Sequence, residues 1–256
     1  MKSVRLRALA AAALALAPAA GLLVAAAPAL AATSTLPTLK SVTTNETSFV
    51  LPYNGTCKAI IMTATLSAVM PTDGYQFSGV GADLFAPGES GDDSYDGIEF
   101  MQVGAGDNPV YRGSLSICGK YPPGAWHAEV YGAAVPTGAT TGDDFVTTNQ
   151  IRINISLKRP SRLTFNASPE PVKKGKKVTA AGTLKIDGKA YANLSVVIYF
   201  KASGAKTWTV KGTAKTTSKG AYSRKFVATK SGTWKAVYAG SSTRQAASKA
   251  DAVAVK

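Results

Sequence analysis

The stretch Asn166-Ala-Ser-Pro-Glu-Pro-Val-Lys-Lys-Gly-Lys-Lys177 divides the chain into two parts of different character. Ahead of it the sequence is acidic and holds both cysteines; beyond it the sequence is basic, lacks cysteine and alternates like a β-sheet protein. Val178, Ala180, Gly182, Leu184 and Ile186 would share one face of a strand, because successive side chains on a strand point to opposite sides. The stretch therefore reads as the entry into a second β domain.

The charge division is steep. Residues 32–157 hold five basic and twelve acidic side chains, whereas residues 158–256 hold twenty-one basic and three acidic ones. The two parts must meet different partners, or each other.

Residues 1–31 read as a secretory signal peptide. Lys2, Arg5 and Arg7 precede an Ala/Leu run broken by Pro18 and Pro28, and Ala29-Leu30-Ala31 supplies the small-x-small cleavage pattern. A membrane anchor is the competing reading, and the prolines, the cleavage pattern and the polar Thr33, Ser34 and Thr35 speak against it. No cysteine follows the run to carry a lipid and no second apolar stretch appears later, so no membrane attachment is expected after cleavage. An exported chain meets an oxidising environment, and Cys57 and Cys118, the only cysteines, are expected to form a disulfide.

From Leu36 onward, short runs of β-branched and aromatic residues are divided by Gly, Pro, Asn and Asp, with no helical period. The expected fold is all-β: two immunoglobulin-like β-sandwich domains in tandem after the signal peptide, an acidic, disulfide-bonded one over 32–157 and a basic one over 158–256. Strands are expected near 47–52, 57–69, 79–86, 98–103, 110–118, 124–135 and 147–158 in the first. In the second they are expected near 161–167, 176–186, 194–203, 207–216, 221–229, 232–239 and 249–255. The expected core anchors of the second domain are Leu163, Phe165, Leu184, Val197, Tyr199, Tyr222, Phe226, Trp234, Ala236 and Tyr238. Arg224 falls on the face of Tyr222 and Phe226, so that face either opens to solvent or gives Arg224 a partner. An internal echo links the halves: Gly124-x-Trp126-x-Ala128 with Gly132 parallels Gly232-x-Trp234-x-Ala236 with Gly240. Both tryptophans read as core packing.

The Asn166–Lys176 stretch, the Gly182-Thr-Leu run, Lys-Thr-Thr-Ser-Lys-Gly at 215–220 and the Tyr238-Ala-Gly240 turn resemble the C-terminal module of small exported actinobacterial proteins. These often bear the loose label calcium-binding protein together with a bacterial Ig-like region. The resemblance covers about 160–256 and is thin over 32–157. It implies export and a sandwich fold and supplies no catalytic residues.

The chemistry left open is narrow. A nucleophilic triad would have to pass through His127, the one histidine, and alternation with Trp126 and Ala128 puts it on the opposite, solvent face. Zinc sites rich in His or Cys fail by count, and no phosphate-cradling loop opens a helix. Asp92, Ser94 and Asp96 followed by Gly97 resemble the first half of a calcium loop, with Glu99 as a further oxygen ligand. Val103 stands where the bidentate acid belongs, and the expectation is at most one weak calcium ion. Lys173, Lys174, Lys176 and Lys177 cluster in one loop and strand start, and further lysines are spread over the second domain. Such a field attracts polyanions without sequence preference, and lysine suits diffuse attraction better than bidentate recognition. The same lysines would also keep a sandwich soluble.

The functional expectation is a secreted, non-catalytic binding or structural protein, extracellular or cell-wall associated. Its partner would be an anionic wall polymer or an extracellular protein, with no specific nucleic acid and no cofactor. The rival readings are a weak calcium-binding module and a hydrolase built on carboxylates of the first domain.

Overall fold

The computed structural model describes residues 36–90, 94–139 and 146–256. Among these residues the regular structure is strand only, β1 (Leu39–Thr44), β2 (Ser48–Val50), β3 (Cys57–Leu66), β4 (Tyr75–Phe85), β5 (Asp96–Gly104), β6 (Val110–Cys118), β7 (Gly124–Pro136), β8 (Val146–Thr147) and β9 (Ile151–Lys158). There follow β10 (Ser161–Leu163), β11 (Asn166–Ser168), β12 (Lys177–Ile186), β13 (Lys189–Ala190), β14 (Ser195–Ala202), β15 (Thr209–Lys215), β16 (Ala221–Val227), β17 (Gly232–Tyr238) and β18 (Ala247–Val253). The chain is all-β, as its alternation requires. The signal-like residues 1–31 lie outside the described residues.

In the first sandwich the strands follow the path β1-β3-β6-β5-β4-β7-β9-β2. β5 changes partner midway: Asp96–Phe100 pair with β4, and Met101–Gly104 pair with β6. That exchange folds one path into two layers, with Ile60, Met62, Leu66, Leu115 and Ile117 from one and Leu84, Trp126, Ala128 and Leu157 from the other fully buried. Cys57 opens β3, Cys118 closes the neighbouring β6, and the two are disulfide-bonded, so the bridge clamps adjacent strands of one sheet.

The second sandwich has one sheet of β10, β11, β12, β13 and β16 and another ordered β15-β14-β17-β18. Leu184, Ile198, Tyr222, Trp234 and Ala236 fill the space between them. Its strand order repeats that of the first. β3 and β12, β4 and β14, β6 and β16, and β7 and β17 hold corresponding places, and the order is that of an immunoglobulin-like sandwich. In both, the opening strand pairs antiparallel with the next long strand and the chain then crosses to run parallel to the last one. Leu51 N bonds Lys158 O and Ser156 N bonds Thr47 O in the first, while Val172 and Val255 form a parallel bridge in the second. The Gly-x-Trp echo lies on the equivalent β7 and β17, each opening on its glycine, with Trp126 1% and Trp234 3% exposed.

By contact density the chain separates into two compact units. One comprises residues up to Phe49, Cys57–Ile117 and Ala125–Ser156; the other comprises Val50–Thr56, Cys118–Gly124 and Leu157–Lys256. Within the second unit, buried Arg159 donates from Nη1 to the Leu51 carbonyl at 3.1 Å and from Nη2 to the Tyr121 carbonyl, with its guanidinium over the Tyr53 ring. A buried cation is tolerable only when carbonyls replace its water.

Three details depart from the sequence-based expectation. β1 and the short β8 and β13 are additional strands. Val197 and Tyr199 face outward and Val196 and Ile198 fill the core, the reverse of what was expected. The run Val196–Phe200 is apolar throughout, so its periodicity does not specify a face; the pairing of Ile198 with buried Ala236 and of Tyr199 with Lys235 does. His127 is 3% exposed, not solvated, because β7 is covered on both faces.

Candidate polyanion-binding surface

Three turns and the end of β18 meet at one pole of the second sandwich. Gly175 N bonds Ala228 O at 2.8 Å, Ser203 N bonds Ser231 O at 2.9 Å and Lys174 N bonds Lys256 O at 2.8 Å. The β11–β12, β14–β15 and β16–β17 connections are thereby held side by side. Together with the start of β12 and the segment after β18 they carry Lys173, Lys174, Lys176, Lys177, Lys206, Lys230 and Lys256, all exposed. Gly175 makes the first turn possible, with φ at 82°, in the region where side chains clash with the backbone. A shallow groove at this pole is lined by Glu170, Ser203, Ser231, Thr233 and Lys256. The lysine cluster read from the sequence is thus one part of a larger basic end, joined by lysines distant in sequence.

The outer face of β14, β15 and β17 continues from this pole. Tyr199 pairs with Val210 on one side and Lys235 on the other, and Lys201 pairs with Thr233. Trp208, just before β15, lies against this face, with the Lys235 ammonium 4.0 Å and the Lys201 ammonium 5.1 Å from its ring centroid. Lys235 also sits 5.4 Å from the Tyr199 centroid. Such contacts hold an ammonium in place for about 0.5–1 kcal/mol at exposed sites. The sequence reading missed this face, having put Tyr199 in the core. A tryptophan set among Lys206, Thr207 and Thr209 was the available signal.

Cations of this unit meet few anions. Its acids after residue 157 are Glu170, Asp187 and Asp251. Asp187 Oδ2 accepts from Tyr53 N at 2.7 Å and Asp251 Oδ2 accepts from Ala167 N at 2.8 Å. The Glu170 carboxyl is pushed up, first by desolvation and then by the charge of Asp251. Among the described residues no lysine of the second sandwich is within 4.0 Å of a carboxylate.

The other residues singled out from sequence lie in the first sandwich. Asp92 and Asp93 fall outside the described residues. Asp96 opens β5, where its Oδ1 accepts from Gly97 N, and Glu99 lies three places on in the same strand. Odd spacing in a strand sends their side chains to opposite faces. His127 stacks on Phe85 at 4.8 Å and its Nε2 is 3.5 Å from Glu129 Oε1. Burial lowers its pKa first and the charge of Arg152 lowers it further, against the opposing pull of Glu129. On the same face Tyr131 donates to buried Asp83 at 3.0 Å. Cys57 and Cys118 are held in their bridge.

No protein-family model matches the chain, and no curated protein matches it. Among solved structures, a chimeric titin Z1Z2 tandem is similar at 13% identity and a TM-score of 0.32, covering 84% of this chain and 100% of that one. Alpha-2-macroglobulin of E. coli is similar at 9% identity and a TM-score of 0.38 over 86% of this chain, which spans only 14% of that protein. Mouse nectin-like molecule 4 is similar at 12% identity and a TM-score of 0.29 over 86% of this chain and 65% of its own. The strand order, rather than these likenesses, defines the fold.

Proposed function

We propose that the protein is a secreted, non-catalytic binding protein whose basic second sandwich holds an anionic polymer of the cell wall. The observation that carries this reading is the gathering of lysines from separate turns at one pole, without carboxylate partners among the described residues. Unpaired ammoniums so placed release counterions from a polyanion when it binds, and the gain depends on charge density rather than sequence. Export is supported by the signal-like residues 1–31 and by the disulfide. A non-catalytic reading is supported by the burial of His127 between a phenyl ring and a carboxylate.

The test is co-sedimentation of the mature chain with purified Gram-positive walls before and after chemical removal of the anionic polymer. Binding should be lost with the polymer and on replacing Lys173, Lys174, Lys176 and Lys177 with alanine. Binding that survives polymer removal contradicts the proposal.

A further inference from the structure

We infer that the outer face formed by Tyr199, Lys201, Trp208 and Lys235 is a subsite for the sugar rings of an anionic glycan, an inference that rests on the polyanion reading above. Charge alone does not require aromatic surface. Trp126 and Trp234 are in cores, yet Trp208 and Tyr199 remain partly exposed on an outer sheet face. The register sets Tyr199 in a row with Val210 and Lys235, next to the row of Lys201 and Thr233, and the Trp208 ring meets the lysines of both rows, with Val210 58% exposed. Lys235 reaches both aromatic rings, at 4.0 and 5.4 Å, so the ammonium is fixed beside apolar surface rather than free in solvent.

That juxtaposition matches a specific chemistry. A pyranose ring has an apolar C–H face that packs on an aromatic side chain, and a carboxylate, sulfate or phosphate at its rim can accept from a neighbouring ammonium. A bare polyphosphate chain has the charge without the apolar face, and the lysine pole alone would serve it. A single-stranded nucleic acid could also stack on aromatics. The cations here are lysines on a sheet face rather than arginines in a groove that tracks a backbone, which favours the glycan.

The protein supplies its own reporter. It has three tryptophans, and two are buried, so a ligand on this face should alter the fluorescence of Trp208 selectively. The full mature chain is titrated with heparin as a sulfated glycan, with sodium polyphosphate and with oligo(dT). The subsite predicts that heparin protects the fluorescence from iodide quenching. It also predicts that Trp208→Ala, shown folded by circular dichroism, weakens heparin about tenfold, equivalent to about 1.4 kcal/mol, and polyphosphate less than twofold. The Lys173, Lys174, Lys176 and Lys177 alanine variant should weaken both. Equal heparin affinity in Trp208→Ala, equal loss for both polymers, or tighter binding of oligo(dT) with the same Trp208 dependence overturns the subsite and leaves the polyanion reading standing. Failure of the unmodified chain to bind any of the three overturns both.

Discussion

Arg224 on β16 donates from Nη1 to the carbonyl of Thr213 on β15 at 2.6 Å, joining the edges of the two sheets of the second sandwich. This resolves the anomaly of a cation on the strand face shared by Tyr222 and Phe226. The side chain turns to the sheet margin, where its guanidinium lies 5.9 Å from the Phe226 centroid. Gly212 makes room for it, because a Cβ there would stand 2.7 Å from Arg224 Cζ. Arg224→Ala should destabilise the second sandwich by about 1 kcal/mol, less than the roughly 1.5–3 kcal/mol of a charge-assisted hydrogen bond because the position is exposed. Gly212→Ala should be worse in the native background than in Arg224→Ala. Urea denaturation of the two single variants and the double variant checks this, and strict additivity would rule out the contact.

The disulfide closes a loop of about 60 residues, for which chain entropy gives roughly 4 kcal/mol. Reduction, or Cys57→Ser with Cys118→Ser, should lower the denaturation midpoint of the first sandwich. Near-ultraviolet circular dichroism is the measurement, and an unchanged midpoint after verified reduction contradicts the structural role.

His127 predicts acid lability. Its folded pKa lies below the ordinary value of 6.5, so between the two values the unfolded chain binds more protons than the folded one. Stability is therefore fully present above about pH 6.5 and is lost as the pH falls toward the folded value. His127→Phe, which retains a ring against Phe85, should remove that part of the pH dependence. Urea midpoints at pH 7.5 and pH 5 in both proteins decide the matter, and identical pH profiles would count against it.

Gly182 sits on the core strand β12, where a Cβ would stand 2.0 Å from the Thr164 carbonyl oxygen and 2.7 Å from the Tyr222 hydroxyl. That hydroxyl donates to the same carbonyl at 2.6 Å. Gly182→Ala must separate these groups and should cost about 1–3 kcal/mol, as overpacking does. Thermal denaturation checks it; a neutral substitution would mean the two chain segments are not this close.

Much of the fold was legible because sandwich strands obey a period of two where one face is wet. Val178, Ala180, Leu184 and Ile186 are buried on β12 as their alternation requires, and the two Gly-x-Trp copies lie on equivalent strands. The same rule failed for His127 and Tyr199 for opposite reasons. β7 is covered on both sides, so the face opposite Trp126 is also dry. In β14 every residue from Val196 to Phe200 is apolar, so only its neighbours fix the register. The candidate surface was half legible. Four of its lysines are adjacent in sequence, but Lys206, Lys230 and Lys256 join them only through turns that meet in space.

The most direct test of the account is the salt dependence of affinity for purified anionic wall polymer, compared between unmodified residues 32–256 and the variant with Lys173, Lys174, Lys176 and Lys177 replaced by alanine. Counterion release predicts that log affinity falls linearly with log salt, with a clearly shallower slope in the variant. Equal slopes in the two proteins, or affinity insensitive to salt, would contradict a lysine pole that binds by charge.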